Sequence, residues 1–142
     1  MKATSFSTWK GSWKQGEGDI STSSSTLQKE PFTFASRFEG ALGACPEELL
    51  AAAHAGCFNQ ALANNFGMIG KEAESIETSV TIDFGHDVAG HPAINGSHIV
   101  VKAKAPGVTQ EEFNHCAERS RTNCTIAKVL KCAITMDATL LS

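Results

Sequence analysis

The longest apolar stretch, "CPEELLAAAHAGCFNQALANNF" (45–66), repeats at helical spacing, with Leu50, Ala53, Cys57 and Ala61 following the i, i+3, i+4 rhythm of a buried stripe. A helix is expected over 46–66. Pro46 suits the first helical position, and Glu47 and Glu48 sit where the helix dipole favours negative charge. Alanines at 51, 52, 53, 55, 61 and 63 favour helix and let other backbone approach closely, and Gly67 is the expected C-cap. Earlier in the chain the period is two. Trp9, Lys10, Gly11 and Trp13, followed by the turn "KQGEGD", predict a hairpin. "ISTSSSTLQ" reads as a strand. "PFTFASRF" (31–38) alternates, with Phe32, Phe34 and Phe38 on one face and Pro31 as first strand residue.

Two more strands are expected at 75–85 and 96–105, joined by the loop "GHDVAGHPAING". Thr109 and Glu112 in "VTQEEF" form a capping-box signature for a helix running to Arg121. "TNCTIAKVL" reads as a second start capped by Asn123, which would put Cys124 at a helix N-terminus. "KCAITMDATL" alternates as a strand with Cys132, Ile134, Met136, Ala138 and Leu140 on one face. Strands, long helix, strands, helix, strand: the order implies an α+β fold in a single domain over 1–142.

Composition narrows the function. The chain has 142 residues and a formal net charge of −3, with no Lys/Arg-rich block, so nucleic-acid binding has no electrostatic footprint. No apolar run approaches the roughly 18–20 residues of a membrane span, and the first residues lack the apolar core of a secretory signal. A cytoplasmic location is expected, with neither membrane nor nucleic-acid partner. The five cysteines then stand out. The cytosol disfavours permanent disulfides, and the odd count excludes full pairing. There is no C-x-x-C, and the eight-residue spacing of Cys116, Cys124 and Cys132 matches no zinc motif, so no metal or other cofactor is expected.

The thiols differ in context. Cys132 and Cys116 read as core filler. Cys45 precedes the long helix with nothing nearby to activate it. A helix N-terminus with Lys and Arg neighbours would lower the Cys124 pKa. Cys57 on a buried stripe would be inert unless a cation from elsewhere in the fold reaches it. His54, three residues before Cys57, could act as base in a Cys–His hydrolase, though a satisfied core histidine fits the pattern better. His86, His91 and His98 read as solvated residues of a loop and strand.

"SRFEGALGACPEELLAAAHAGCF" (36–58), paired with "TNCTIAKVL" (122–130), resembles the signatures of the OsmC/Ohr family of thiol-dependent peroxidases, nearer its OsmC branch. The resemblance implies antiparallel sheets around a long central helix in an intertwined homodimer, with sites at the subunit interface. It implies Cys57 as peroxidatic cysteine and Cys124 as resolving cysteine. Arg37 would hold the thiolate and Glu47 would orient Arg37. Cys45 stands where the family usually has a polar residue, and Thr125 replaces a common proline; neither change touches the four key groups.

The implied chemistry is peroxide reduction. The Cys57 thiolate attacks an organic hydroperoxide, or hydrogen peroxide, and becomes a sulfenic acid. Cys124 condenses with it to a disulfide, and a dithiol, with a lipoyl protein as candidate, reduces that bond. One geometric point resists this scheme. Glu47 and Cys57 are ten residues apart, about 15 Å along a straight helix, too far to share one arginine directly. Either the helix proper starts after Glu48 and "CPEE" folds back, which is the expectation, or Arg37 bridges only part of that distance; the resemblance also allows Arg37 to come from the partner chain. The competing reading is a non-catalytic thiol sensor or hydrophobic-ligand module, for which a second, placed carboxylate has no use.

Overall fold

Trp9 and Phe32 face one glycine. In the computed structural model, which describes residues 1–141, β1 (Ser5–Lys10), β2 (Glu17–Thr22) and β3 (Glu30–Phe32) form an antiparallel sheet in the order β1-β2-β3. Gly18 of β2 pairs with Trp9 on one side and Phe32 on the other. Their rings close over it with centroids 5.2 Å apart. A Cβ at position 18 would lie 2.7 Å from the Trp9 ring and 2.8 Å from the Phe32 ring, so only glycine allows this approach.

Two predicted strands are cut short for the same reason: hydroxyl side chains bond the local backbone and end the ladder. The "ISTSSSTLQ" strand stops at Thr22. Beyond it Thr22 and Ser24 hydroxyls lie 3.2 Å apart, and the Leu27 N–H donates to Thr22 Oγ1 at 3.0 Å, closing a turn. The strand expected over 31–38 breaks at Thr33. Its hydroxyl accepts from the Ser36 N–H at 3.0 Å while Ser36 Oγ accepts from the Thr33 N–H at 2.8 Å. That capping box starts a short helix, α1 (Phe34–Phe38), where alternation predicted strand. Pro31 is the second residue of β3, an edge strand that tolerates the missing N–H.

The long helix, α2, runs Pro46–Met68 without interruption. The Leu49 N–H reaches the Cys45 carbonyl at 3.0 Å, so the helix begins at its proline and "CPEE" does not fold back. It passes through Gly67 and stops at Gly70, whose φ is +72°. The Gly70 N–H bonds Gly67 O at 3.0 Å and the Lys71 N–H bonds Phe66 O at 2.9 Å, the Schellman pattern. The buried stripe is His54, Phe58, Leu62 and Phe66, not Leu50, Ala53, Cys57 and Ala61. Large side chains take the core, Ala53 is exposed, and Cys57 lies half-buried on the flank.

Contacts divide the chain into two compact units, Met1–Leu49 and the residues from Leu50 onward. The second unit holds β4 (Ser75–His86), β5 (Pro92–Lys104), α3 (Gln110–Asn123) and β6 (Ala133–Leu141). The hairpin loop expected over 85–96 contracts to five residues. Asp87 Oδ1 accepts from the Ala89 and His91 amides at 2.9 and 3.0 Å, which lets both strands extend toward the tip. β4 and β5 are antiparallel, but β5 and β6 are parallel, so this sheet is mixed where antiparallel pairing was expected. The α3 crossover makes the parallel pair possible. Thr109 and Glu112 cap α3 as the sequence indicates. Ile99, Val101 and Ala103 of β5 meet Phe58, Leu62, Phe66 and Phe113 in the core, with Ile134, Met136, Ala138 and Leu140 of β6 against them. Cys132, expected in that core, precedes the strand and is half-buried. Among the described residues no helix is long and apolar enough to cross a membrane.

Candidate active site

The first pair belongs to the Met1–Leu49 unit. The Thr33–Ser36 box fixes α1, and Ser36 Oγ also donates to the Ala44 carbonyl at 2.8 Å, drawing the 39–45 loop back. Arg37, in the last turn of α1, thereby meets Glu47, in the first turn of α2. Arg37 Nε donates to both Glu47 oxygens at 3.0 and 3.2 Å, and Nη2 donates to Oε1 at 2.6 Å. The Glu47 side chain is only 9 % exposed and that of Arg37 36 %. Burial pushes the Glu47 pKa up, but the hydrogen bonds from Arg37 and from the Glu47 backbone N–H, with the Arg37 charge and Cys45 added, together outweigh it and hold the carboxyl below its ordinary range. The same hydrogen bonds raise Arg37 further above its already high value. The carboxylate occupies one edge of the guanidinium, and no hydrogen bond from Nη1 is recorded among the described residues. The other edge of the fork is thus available to an anion or a peroxide oxygen.

Cys45 touches this pair. Its Sγ lies 3.5 Å from Glu47 Oε2 and 3.8 Å from the Arg37 carbonyl. Sequence reasoning saw nothing near it; the α1 turn that brings Arg37 there was hidden by the alternating phenylalanines.

The second pair belongs to the unit from Leu50 onward. Cys124 closes α3, its N–H bonding Ser120 O at 3.1 Å. It therefore lies at a helix C-terminus, not the N-terminus expected, and the dipole does not activate it. Burial pushes the Cys124 thiol up; the Ala127 amide partly offsets this, and the neighbouring Cys57 adds to the rise. After Cys124 the chain enters a single 3-10 turn, Ala127–Val129. The Ile126 N–H donates to Cys57 Sγ at 3.5 Å and the Ala127 N–H to Cys124 Sγ at 3.4 Å. Sequence reasoning missed both amides, which carry no side-chain signature. A half-buried sulfur that accepts one backbone N–H and neighbours a second thiol can be oxidised and then captured.

His54 takes no part. It is fully buried, its Nδ1 pairs with Ser97 Oγ at 2.8 Å, and burial lowers its pKa. Nothing links it to Cys57, so the Cys–His hydrolase reading fails. Cys116 is buried in the core, where burial first and Glu112 second push its thiol up. His98 pairs with Thr135 and Asp137, and His91 with Asp87.

The profile of OsmC-like proteins matches residues 39–139. The chain is 37 % identical to Peroxiredoxin OsmC of Escherichia coli over 134 residues, covering 94 % of this chain and 93 % of that protein. The chain belongs to the OsmC family. The same identity and coverage hold for Peroxiredoxin OsmC of Shigella flexneri. Among solved structures the OsmC fold recurs in the organic hydroperoxide resistance protein OhrB of Bacillus subtilis, with TM-score 0.72, 22 % identity and coverage of 97 % of this chain and 98 % of that one. It recurs again in an OsmC-like protein of Vibrio cholerae, with TM-score 0.77, 14 % identity and 97 % and 99 % coverage. At those identities the structures speak for the fold.

Proposed function

We infer that this OsmC-family chain is a thiol-dependent peroxidase of organic hydroperoxides and that Cys57, Cys124, Arg37 and Glu47 run its cycle. The activity rests on family membership and on the 37 % identity to a protein named a peroxiredoxin. The observation that carries the residue roles is the convergence of Cys57 and Cys124 on one turn, where the Ile126 N–H donates to Cys57 Sγ and the Ala127 N–H to Cys124 Sγ.

The Cys57 thiolate attacks one peroxide oxygen. The O–O bond breaks, the alkoxide takes a proton and leaves as alcohol, and Cys57 becomes a sulfenic acid. The Cys124 sulfur then attacks that sulfur, water leaves, and a Cys57–Cys124 disulfide remains. A dithiol, with a lipoyl protein as candidate, returns both thiols and is itself oxidised to a disulfide. Hydrogen peroxide fits the same step as a smaller substrate. Arg37 stabilises the thiolate and the negative charge that builds on the departing oxygen, and Glu47 holds the fork in one orientation.

Glu47 stays on a helix that begins at Pro46, so helix geometry sets it about 15 Å along the axis from Cys57 of its own chain. A homodimer in which the Arg37–Glu47 pair of one copy serves Cys57 of the other resolves that distance. A cytoplasmic location suits a cycle that needs a thiol reductant.

Turnover of cumene hydroperoxide with a dithiol tests the reading. Cys57→Ser is expected to be inactive. Cys124→Ser should complete one oxidation, leave a sulfenic acid that dimedone traps, and then over-oxidise. Normal turnover by Cys57→Ser contradicts the assignment. Mixing Cys57→Ser with Arg37→Ala tests the dimer: heterodimers regain activity only if the pair acts across subunits.

A further inference from the structure

Cys45 stands at the N-cap of α2, yet its side chain meets the Arg37–Glu47 fork. Its carbonyl accepts the Leu49 N–H at 3.0 Å, which places it where serine, threonine, aspartate or asparagine usually turns an oxygen onto the free amides. A thiol is a poor substitute for those oxygens. The Glu47 amide is served by its own carboxylate instead. Cys45 Sγ lies 3.5 Å from Glu47 Oε2 and 3.8 Å from the Arg37 carbonyl.

Arg37 holds the two oxygens of Glu47 unequally. Oε1 accepts from Arg37 Nε at 3.0 Å and from Nη2 at 2.6 Å, while Oε2 takes only a share of the same Nε–H, at 3.2 Å. The Cys45 S–H is the further donor to Oε2. An ionised carboxylate only accepts, so the proton in this contact belongs to sulfur. That one proton cannot serve two acceptors equally, and the carboxylate oxygen is both charged and nearer than the carbonyl. With both oxygens bonded, the carboxylate resists rotation about its Cγ–Cδ bond, and the plane of the guanidinium follows it.

The backbone prepares this contact. Cys45 precedes Pro46, which restricts it to extended conformations. Ala44 is tied on both sides, its N–H to the Pro31 carbonyl at 2.7 Å and its carbonyl to Ser36 Oγ at 2.8 Å. The thiol therefore reaches Glu47 with little freedom left to lose. The titratable groups that act on the Glu47 carboxyl are Arg37 and Cys45, and both favour its ionised form.

We propose that Cys45 is a positioning residue of the peroxidase: its thiol proton, donated to Glu47 Oε2, locks the carboxylate that aims Arg37 at the peroxide. This role rests on the peroxidase reading above and adds a fifth residue to it. The sulfur serves as a donor and not as a redox group, so a hydroxyl can replace it.

Wild type, Cys45→Ala and Cys45→Ser decide the matter by two measurements: kcat/KM for cumene hydroperoxide at neutral pH, and the titration of the Glu47 carboxyl by carbon-13 NMR on the reduced protein. Cys45→Ala is expected to lower kcat/KM by about three- to tenfold and to raise the Glu47 midpoint, and Cys45→Ser to restore most of both. Wild-type kcat/KM in Cys45→Ala overturns the role. So does a loss of activity with the Glu47 midpoint unmoved, which is a packing effect. A Cys45→Ser variant as impaired as Cys45→Ala also overturns it, because the thiol is then needed for its own chemistry. If the wild type reduces no hydroperoxide, the peroxidase reading itself fails. The hold of Cys45 on Glu47 is then judged by the titration alone: a midpoint raised in Cys45→Ala and not in Cys45→Ser supports it, and an unmoved midpoint rejects it.

Discussion

The two compact units hold their candidate pairs by different means. From Leu50 onward, Phe58, Leu62, Phe66, Ile99, Val101 and Phe113 are fully buried, and the thiols sit on the flank of that packing. In Met1–Leu49 all of β1 is exposed, with Phe6 at 59 % and Trp13 at 60 %. That unit keeps its shape through local bonds: the Thr33–Ser36 box, the serine turn, Gly18 under two rings, and the Arg37–Glu47 fork. Burial pushes the Cys124 thiol up. The Arg37 guanidinium stays partly exposed and is held by its hydrogen bonds to Glu47 instead of by packing.

This contrast can be broken at several points. The largest expected effect is on the fork. Arg37→Ala should lower kcat/KM for hydroperoxide by about a hundredfold, since one preorganised donor to developing charge contributes on that scale. Arg37→Lys should recover little, because a point charge cannot grip Glu47 along one edge and offer the other. Equal activity of Arg37→Ala and wild type in steady-state assays would separate the two pairs functionally. Next comes packing. Phe66→Ala should destabilise the chain by about 3–5 kcal/mol in chemical denaturation, whereas Phe6→Ala should stay within about 0.5 kcal/mol. Similar values at both sites would erase the distinction between the units.

Smaller effects test the local bonds. Thr33→Ala removes one half of the capping box and should cost about 1 kcal/mol. It should also lower activity, because α1 carries Arg37; loss of stability with full activity would show that the box does not aim the arginine. The smallest effect is in acid. Glu47 is held below its ordinary pKa, so its pairing stabilises the fold fully above the unfolded-state value of about 4.3 and is lost as pH falls through the lower folded value. The stability gap between wild type and Glu47→Gln should shrink as pH drops from about 5 toward 2. A gap that widens in acid contradicts the pairing.

How much was legible follows the same division. Periodicity placed α2, β4, β5, α3 and β6, because each has one face against the core. It failed over 31–38, where alternating phenylalanines imitate a strand and a four-atom hydroxyl–amide exchange at Thr33 and Ser36 decides otherwise. It also misassigned the buried stripe of α2: small apolar residues surround this helix, so spacing alone does not say which face the large side chains will claim. The four site residues came from a motif resemblance. Pattern left Cys57 as ordinary filler, and no periodicity reveals that the Ile126 and Ala127 amides turn toward the two sulfurs.

One measurement bears on the central claim most directly: peptide-map mass spectrometry of the reduced protein after one equivalent of cumene hydroperoxide. The account predicts a single new cross-link, Cys57 to Cys124, with Cys45, Cys116 and Cys132 still free. A disulfide through Cys45 in place of Cys124, or oxidation that spares Cys57, would contradict it.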